Sequence, residues 1–286
     1  MVTRMHIVVS IKQVPDTSEV RIDPRTNTMI RSGVPSIVNP EDVHALEEAI
    51  RLKEKFGGRV TVVTMGPSQA RDALRETIAF GADEAILCSD RRFAGADTLA
   101  TSYAVWKAVL KIGESEPVDL VLCGRQALDG DTGQVPPGVA TRLGWPQLTS
   151  VLKIEEVDLP KQLIVVRRAV EGGEEIVRSR LPCVITCRRE INVPRYPTWP
   201  NMVRAARYQP PTWDKTDLGI GDDSQIGLRG SPTIVSKVWA PARRQRGTTV
   251  VIDGSDPEEA ATQLAKLLTH RPLGEAEATQ VGDGHE

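Results

Sequence analysis

The chain has 286 residues, is 40% hydrophobic and 26% charged, and carries a formal net charge of −2 at pH 7. That near-neutral balance gives no reason to expect nucleic acid or an anionic membrane as a partner. No stretch approaches the roughly 20 consecutive apolar residues of a membrane span, and the opening MVTRMHIVVSIKQVPD lacks the apolar core and cleavage site of a signal peptide. The expectation is a cytoplasmic protein that does not cross a membrane.

The first 145 residues alternate strand and helix signals. HIVVSI (6–11) is a short apolar run ending at Lys12. PEDVHALEEAIRLKEKFGG (40–58) spaces Val43, Leu46, Ala49, Ile50 and Leu52 for one helix face and stops at Gly-Gly. RVTVVTMG (59–66) reads as a strand, SQARDALRETIAFGA (68–82) as a helix closed by Gly81, and EAILCSD (84–90) as a strand. DTLATSYAVWKAVLKIG (97–113) is a helix, DLVLCG (119–124) a strand, and TGQVPPGVATRLG (132–144) a helix with proline in its first turns. Strands of near-continuous Val, Leu and Ile alternating with helices predict βαβ units around a buried parallel sheet. Such sheets bind ligands at the carboxyl ends of their strands.

The pattern then changes. Residues 148–187 read as three strands with turns near Leu159-Pro160 and Gly172-Gly173, an antiparallel addition to the same domain. From about 190 the chain is proline-rich, INVPRYPTWPNMVRAARYQPPTW, and DPEEAATQLAKLLTH (256–270) predicts a last helix. The expected fold is α/β: a Rossmann-like doubly wound, mostly parallel sheet with an antiparallel addition and a C-terminal arm. Residues 1–190 form the body. Residues 191–286 lack the apolar content for a core of their own, as expected of an arm that packs on a partner chain. The polar tail GEAEATQVGDGHE is predicted to be disordered, and RRQR (243–246) reads as a solvated or partner-facing patch.

ALDGDTGQVPPGVA (127–140) follows a strand and places Asp131, Thr132 and Gly133 before a helix. Asp131 is the predicted cap, and free N–H groups beyond it attract an anion without a lysine in the loop. Asp129 and Asp131 can brace the loop or accept from ribose hydroxyls. A plain capped loop explains the same residues. FAGADTLATSYA (93–104) offers a second helix start, with Gly95 for close approach, Asp97 to cap, and the Thr98 and Thr101 hydroxyls. Two such starts after consecutive strands suggest a pyrophosphate. Asn39-Pro40 is a third start, and Met65-Gly66 a turn whose backbone can lie against adenine; ordinary caps and turns remain the alternative there.

The cysteines at 88, 123, 183 and 187 have no CxxC or zinc spacing and read as buried thiols. No phosphate-binding lysine loop, nucleophile elbow, metal-ligand spacing or catalytic residue is evident, and the four histidines form no pair. A nucleotide bound without hydrolytic equipment fits a redox cofactor. Trp199, between two prolines, is a candidate interface anchor.

The stretches VSIKQVPDT, VNPEDVHALEEAIRLKE, TMGPSQARDALRETIAFGADEAIL, DLVLCGRQALDGDTGQV, GLRGSPT and PEEAATQLAKLL resemble the β subunit of electron transfer flavoprotein, in order, along nearly the whole chain. The resemblance implies a heterodimer whose α subunit carries an electron-transferring FAD and is wrapped by the β-subunit arm. One branch keeps AMP in the β subunit. Another, including the Fix-type proteins, holds a second FAD that takes hydride from NADH. That branch bifurcates the electron pair, through the α-subunit FAD towards quinone and a membrane quinone oxidoreductase, and to ferredoxin or flavodoxin.

DGDTGQV, with Gly130 and Gly133, FAGADTLATSY and GLRGSPT resemble the FAD branch, whereas PRYPTWPNM resembles the AMP branch, with Trp199 at the anchor position. Carried over, the nucleotide contacts fall on Ser10, Asn39, Pro40, Asp42, Met65, Gly66, Thr98 and Thr101, and on Ala127, Leu128, Asp129, Gly130, Asp131, Thr132, Gly133, Gln134 and Val135. The alternatives are an AMP-holding β subunit and a stand-alone nucleotide-binding domain of the universal-stress type.

Overall fold

A computed structural model describes residues 4–16, 21–22, 29–30, 36–234 and 251–269. The run RRQR and the polar tail lie outside the described residues. In chain order the first elements are β1 (Met5–Ser10), β2 (Gln13–Pro15), β3 (Arg21–Ile22), β4 (Met29–Ile30), β5 (Ser36–Val38) and α1 (Pro40–Phe56). They are followed by β6 (Gly58–Met65), α2 (Arg71–Phe80), β7 (Glu84–Cys88), α3 (Thr98–Gly113), β8 (Leu120–Gly124) and α4 (Val135–Leu143). Then come β9 (Gln147–Asp158), β10 (Leu163–Val170), β11 (Gly173–Arg180), β12 (Cys183–Cys187), α5 (Trp199–Arg207), β13 (Thr212–Trp213) and α6 (Pro257–Thr269).

Nine strands form one sheet in the order β11-β10-β9-β12-β8-β1-β6-β7-β13. From β9 to β13 every neighbouring pair is parallel, and β10 and β11 add antiparallel at one end. Because the pleat alternates, Ile7 and Val9 enter the core under α1 and α2 with Leu46, Ile50, Leu74 and Ile78. Val8 enters the opposite core with Val105, Val109 and Val139 of α3 and α4. The chain winds outward from β1 through β6 to β7, crosses by α3, and returns on the other side of β1 as β8. That reversal makes the gap between the carboxyl ends of β1 and β8 the topological switch point, where such sheets take ligands. All four cysteines are buried free thiols.

Three sequence expectations change. The segment 148–187 holds four strands: the chain leaves β11 at Leu181-Pro182 and inserts β12 between β9 and β8. Proline cannot donate to a ladder, so Pro182 ends one strand inside a run that reads as continuous. Trp199 opens a helix, α5, with Pro200 in its first turn, instead of standing in a loop. The stretch 211–213 joins the sheet, with Leu87 N–H donating to Pro211 O at 2.9 Å and Ser89 N–H to Trp213 O at 2.9 Å. α5 packs on α2, and Arg204 donates to Ile78 O at 3.2 Å.

The chain divides into compact units at Trp239–Ala240. In the second unit, α6 starts with Pro257, Glu258 and Glu259 and exposes Leu264, Leu267 and Leu268.

Candidate functional site

The first turn of α1 ties the switch point together. Asn39 stands at the cap position, yet its side chain does not cap the helix. Its Nδ2 donates to Gln126 O at 2.9 Å, and its Oδ1 accepts from Leu128 N–H at 3.1 Å. Asp42 accepts from Lys12 N–H at 2.7 Å with one oxygen and from Gly124 N–H at 3.0 Å with the other. One buried carboxylate therefore holds the ends of both β1 and β8. Burial pushes its carboxyl up to about 7, against the opposing pull of Lys12 N–H, Asn39 and Gly124 N–H.

Gly124 is required by this closeness: a Cβ there would lie 2.4 Å from Asp42 Oδ1 and 2.8 Å from Asp42 N. Gly124→Ala is expected to cost about 1–3 kcal/mol through overpacking, read as a lowered urea midpoint. An unchanged midpoint would refute the tight contact.

The loop after β8 differs from its sequence reading. Asp131 is not the cap of α4; the helix begins at Val135, and Asp131 sits before it with φ 51°. Pro136 and Pro137 fix this start, because proline is tolerated only in the first turn, where N–H groups have no partner within the helix. Asp131 accepts from Gln126 Nε2 at 2.8 Å. Gly133 takes φ 61°, which favours glycine, while a Cβ on Gly130 would meet nothing within 4 Å. The loop has no lysine of its own, but Lys12 Nζ reaches both oxygens of Asp129, at 2.6 and 2.7 Å.

At the start of α3, Asp97 caps as its sequence position suggests, accepting from Leu99 N–H at 2.9 Å and Ala100 N–H at 3.1 Å. It also accepts from the Thr233 hydroxyl at 2.8 Å, and its own N–H donates to Ser231 Oγ at 2.8 Å, so the GLRGSPT stretch lies on this helix start. The Thr98 hydroxyl donates to Gln134 Oε1 at 3.2 Å and joins the starts of α3 and α4.

Ser10, Asn39, Pro40, Asp42, Met65, Gly66, Thr98, Thr101 and the run from Ala127 to Val135 thus share the carboxyl edge of the sheet. Trp199 is not among them: it lies at the start of α5, 75% exposed. Sequence reasoning missed Lys12, Gln126 and the Ser231–Thr233 contact. The position of Lys12, directly after the first strand of a parallel sheet, was the available signal.

Parallel strands in this order, with three helix starts along one edge, define a doubly wound, Rossmann-like protein. Residues 26–218 match the family model described as electron transfer flavoprotein domain. The chain is 52% identical over 275 residues to "Protein FixA" of Azotobacter vinelandii, covering 96% of this chain and 98% of that protein. It is 48% identical over 282 residues to "Protein FixA" of Azorhizobium caulinodans, covering 98% and 100% of the two chains. It is 48% identical over 268 residues to "Electron transfer flavoprotein subunit beta" of Thermoanaerobacterium thermosaccharolyticum, covering 93% and 99%.

The chain belongs to the electron transfer flavoprotein family, among its β subunits and FixA proteins. Membership implies flavin-related electron transfer and an α-subunit partner, and it replaces the universal-stress reading. Among the described residues no helix is long and apolar enough to cross a membrane.

Proposed function

We propose that this chain is the β subunit of a heterodimeric, bifurcating electron transfer flavoprotein and holds FAD at the switch point. The observation that carries the reading is the convergence of the α1, α3 and α4 starts on one edge, with open space at Gly130. This donor set fits phosphate oxygens: helix-start N–H groups, the Thr98 and Thr101 hydroxyls, and no side chain at Gly130 or Gly133. The N–H groups of Thr132 to Val135 with Thr98 and Thr101 would meet the pyrophosphate. The Met65-Gly66 backbone would lie against adenine, and Ser10, Asn39, Pro40 and Asp42 would form the floor.

Bound FAD supplies the redox chemistry: hydride from NADH, with electrons passed towards quinone through the α subunit and to ferredoxin or flavodoxin. The chain itself binds and orients the cofactor. Residues 191–286 serve as the arm on the α subunit, and Trp199 as an apolar anchor for a partner. The reading places the complex in the cytoplasm.

The PRYPTWPNM stretch, which resembles the AMP branch, supports a second reading, an AMP-holding β subunit that passes electrons from dehydrogenases to a quinone reductase. Denaturing the purified complex and identifying the released nucleotides separates the two. Two FAD per complex are expected; one FAD with one AMP would overturn bifurcation.

A further inference from the structure

We propose that Lys12 is a phosphate-contacting residue of this site and that Asp129 is its internal counter-ion, which an incoming nucleotide phosphate displaces. The inference rests on the nucleotide reading above.

Lys12 is fixed at both backbone groups. Its N–H donates to Asp42 at 2.7 Å, and its carbonyl accepts from Asn39 N–H at 2.8 Å. The same two residues fix the loop after β8, through Gly124, Gln126 and Leu128. The root of Lys12 and the loop it reaches are therefore positioned by one helix turn. Between them the side chain spans the mouth of the switch point and places its ammonium on both Asp129 oxygens.

The Lys12 side chain remains 48% exposed and the Asp129 side chain 19%. An ion pair whose lysine is this open to solvent is worth little. Exchange of the carboxylate for a phosphate therefore meets little resistance. A phosphate oxygen beside the free N–H groups of the loop would gain the one lysine that the loop lacks. Asp129 keeps the ammonium over the site and, by competing for it and repelling the anion, lowers affinity.

The two partners must then act in opposite directions. In the purified complex stripped of nucleotide, AMP and FAD are titrated separately by calorimetry. Lys12→Met is expected to weaken binding roughly tenfold, as for a charge-assisted hydrogen bond, and the loss should shrink at high salt. Lys12→Arg should restore most of it. Asp129→Asn is expected to tighten binding by roughly two- to fivefold.

Asp129→Asn weakening binding would overturn the inference, because Asp129 would then be a ligand contact in its own right. So would a Lys12→Met loss that Lys12→Arg does not restore, or that salt leaves unchanged, since both indicate a merely structural effect. Wild-type binding that is indifferent to Lys12 removes this inference and leaves the nucleotide reading in place. A wild-type complex that takes up neither nucleotide removes both.

Discussion

Asp42→Ala is expected to cost the fold about 2–4 kcal/mol, because the buried Gly124 N–H loses its acceptor at about 1–3 kcal/mol and the part-buried Lys12 N–H at about 1 kcal/mol. The two donors, Lys12 and Gly124, close β1 and β8, so the loss falls on the switch point and should weaken nucleotide binding with stability. The pH dependence is specific. The Asp42 carboxyl sits at about 7 in the fold against an ordinary 3.8. The folded state therefore holds this proton more tightly than the unfolded chain does. The stability it contributes is fully present below the ordinary value and is lost as pH rises through about 7.

Asp42→Asn removes that titration. It keeps one carbonyl acceptor and turns an amide NH2 towards the second N–H, at a cost of about 1–3 kcal/mol in acid. Above pH 7 the wild type bears a buried charge that the variant does not. The gap in stability between wild type and Asn variant should narrow from pH 5 to pH 8.5. Urea midpoints at a fixed concentration of the complex check this, and a gap that stays constant or widens would rule out the charge-burial argument.

The parallel body was legible because its strands are buried on both faces and its helices carry one apolar face each. Val8 and Val9 serve opposite cores, which is why HIVVSI shows no alternation. The capped start at Asp97 was legible because a cap is a local bond between neighbours. What escaped was long-range. Asp131 looks like a cap until Pro136 and Pro137 are counted, which set the first turn three residues later. Asn39 looks like a cap and instead spends its side chain on a loop nearly ninety residues away. Lys12 and Asp129 are 117 residues apart, and only the adjacency of β1 and β8 brings them together. The helical state of 199–207 depends on packing against α2, which the local proline content hides.

Helix α1, which ties β1 to β8 through Asp42, also anchors the chain leading to Trp199, and this makes Arg195 the second site of large effect. Its guanidinium meets Glu47 at 2.8 Å and Glu54 at 2.6 Å, and its backbone N–H donates to Glu47 at 3.2 Å. Asn192 adds a bond to His44 O at 2.9 Å and one to Glu48 at 3.1 Å. Immediately beyond this anchorage Tyr196 and Trp199 are exposed. Burial pushes the Glu47 carboxyl up, but the bonds from Arg195 and Arg51 outweigh it, and the net direction is below the usual carboxylate range.

Arg195→Ala leaves Glu47, only 2% exposed, with Arg51 alone. Loss of one partner of a buried pair costs about 3–5 kcal/mol. Since Arg195 is itself 30% exposed, solvent screening lowers the expectation to about 2–4 kcal/mol. A lysine cannot reproduce the two-pronged contact, so Arg195→Lys should recover only part.

Here the pH trend is opposite to that of Asp42. A depressed carboxyl contributes stability above its ordinary value and loses it as pH falls through its lowered one. The gap between wild type and Arg195→Ala should be widest near neutral pH and close in acid. Hydrogen exchange at residues 192–198 should quicken in the variant while the β1 and β8 amides stay protected. An unchanged midpoint at pH 7, or faster exchange spread evenly over the sheet, would show that the arm is held by something other than this clamp.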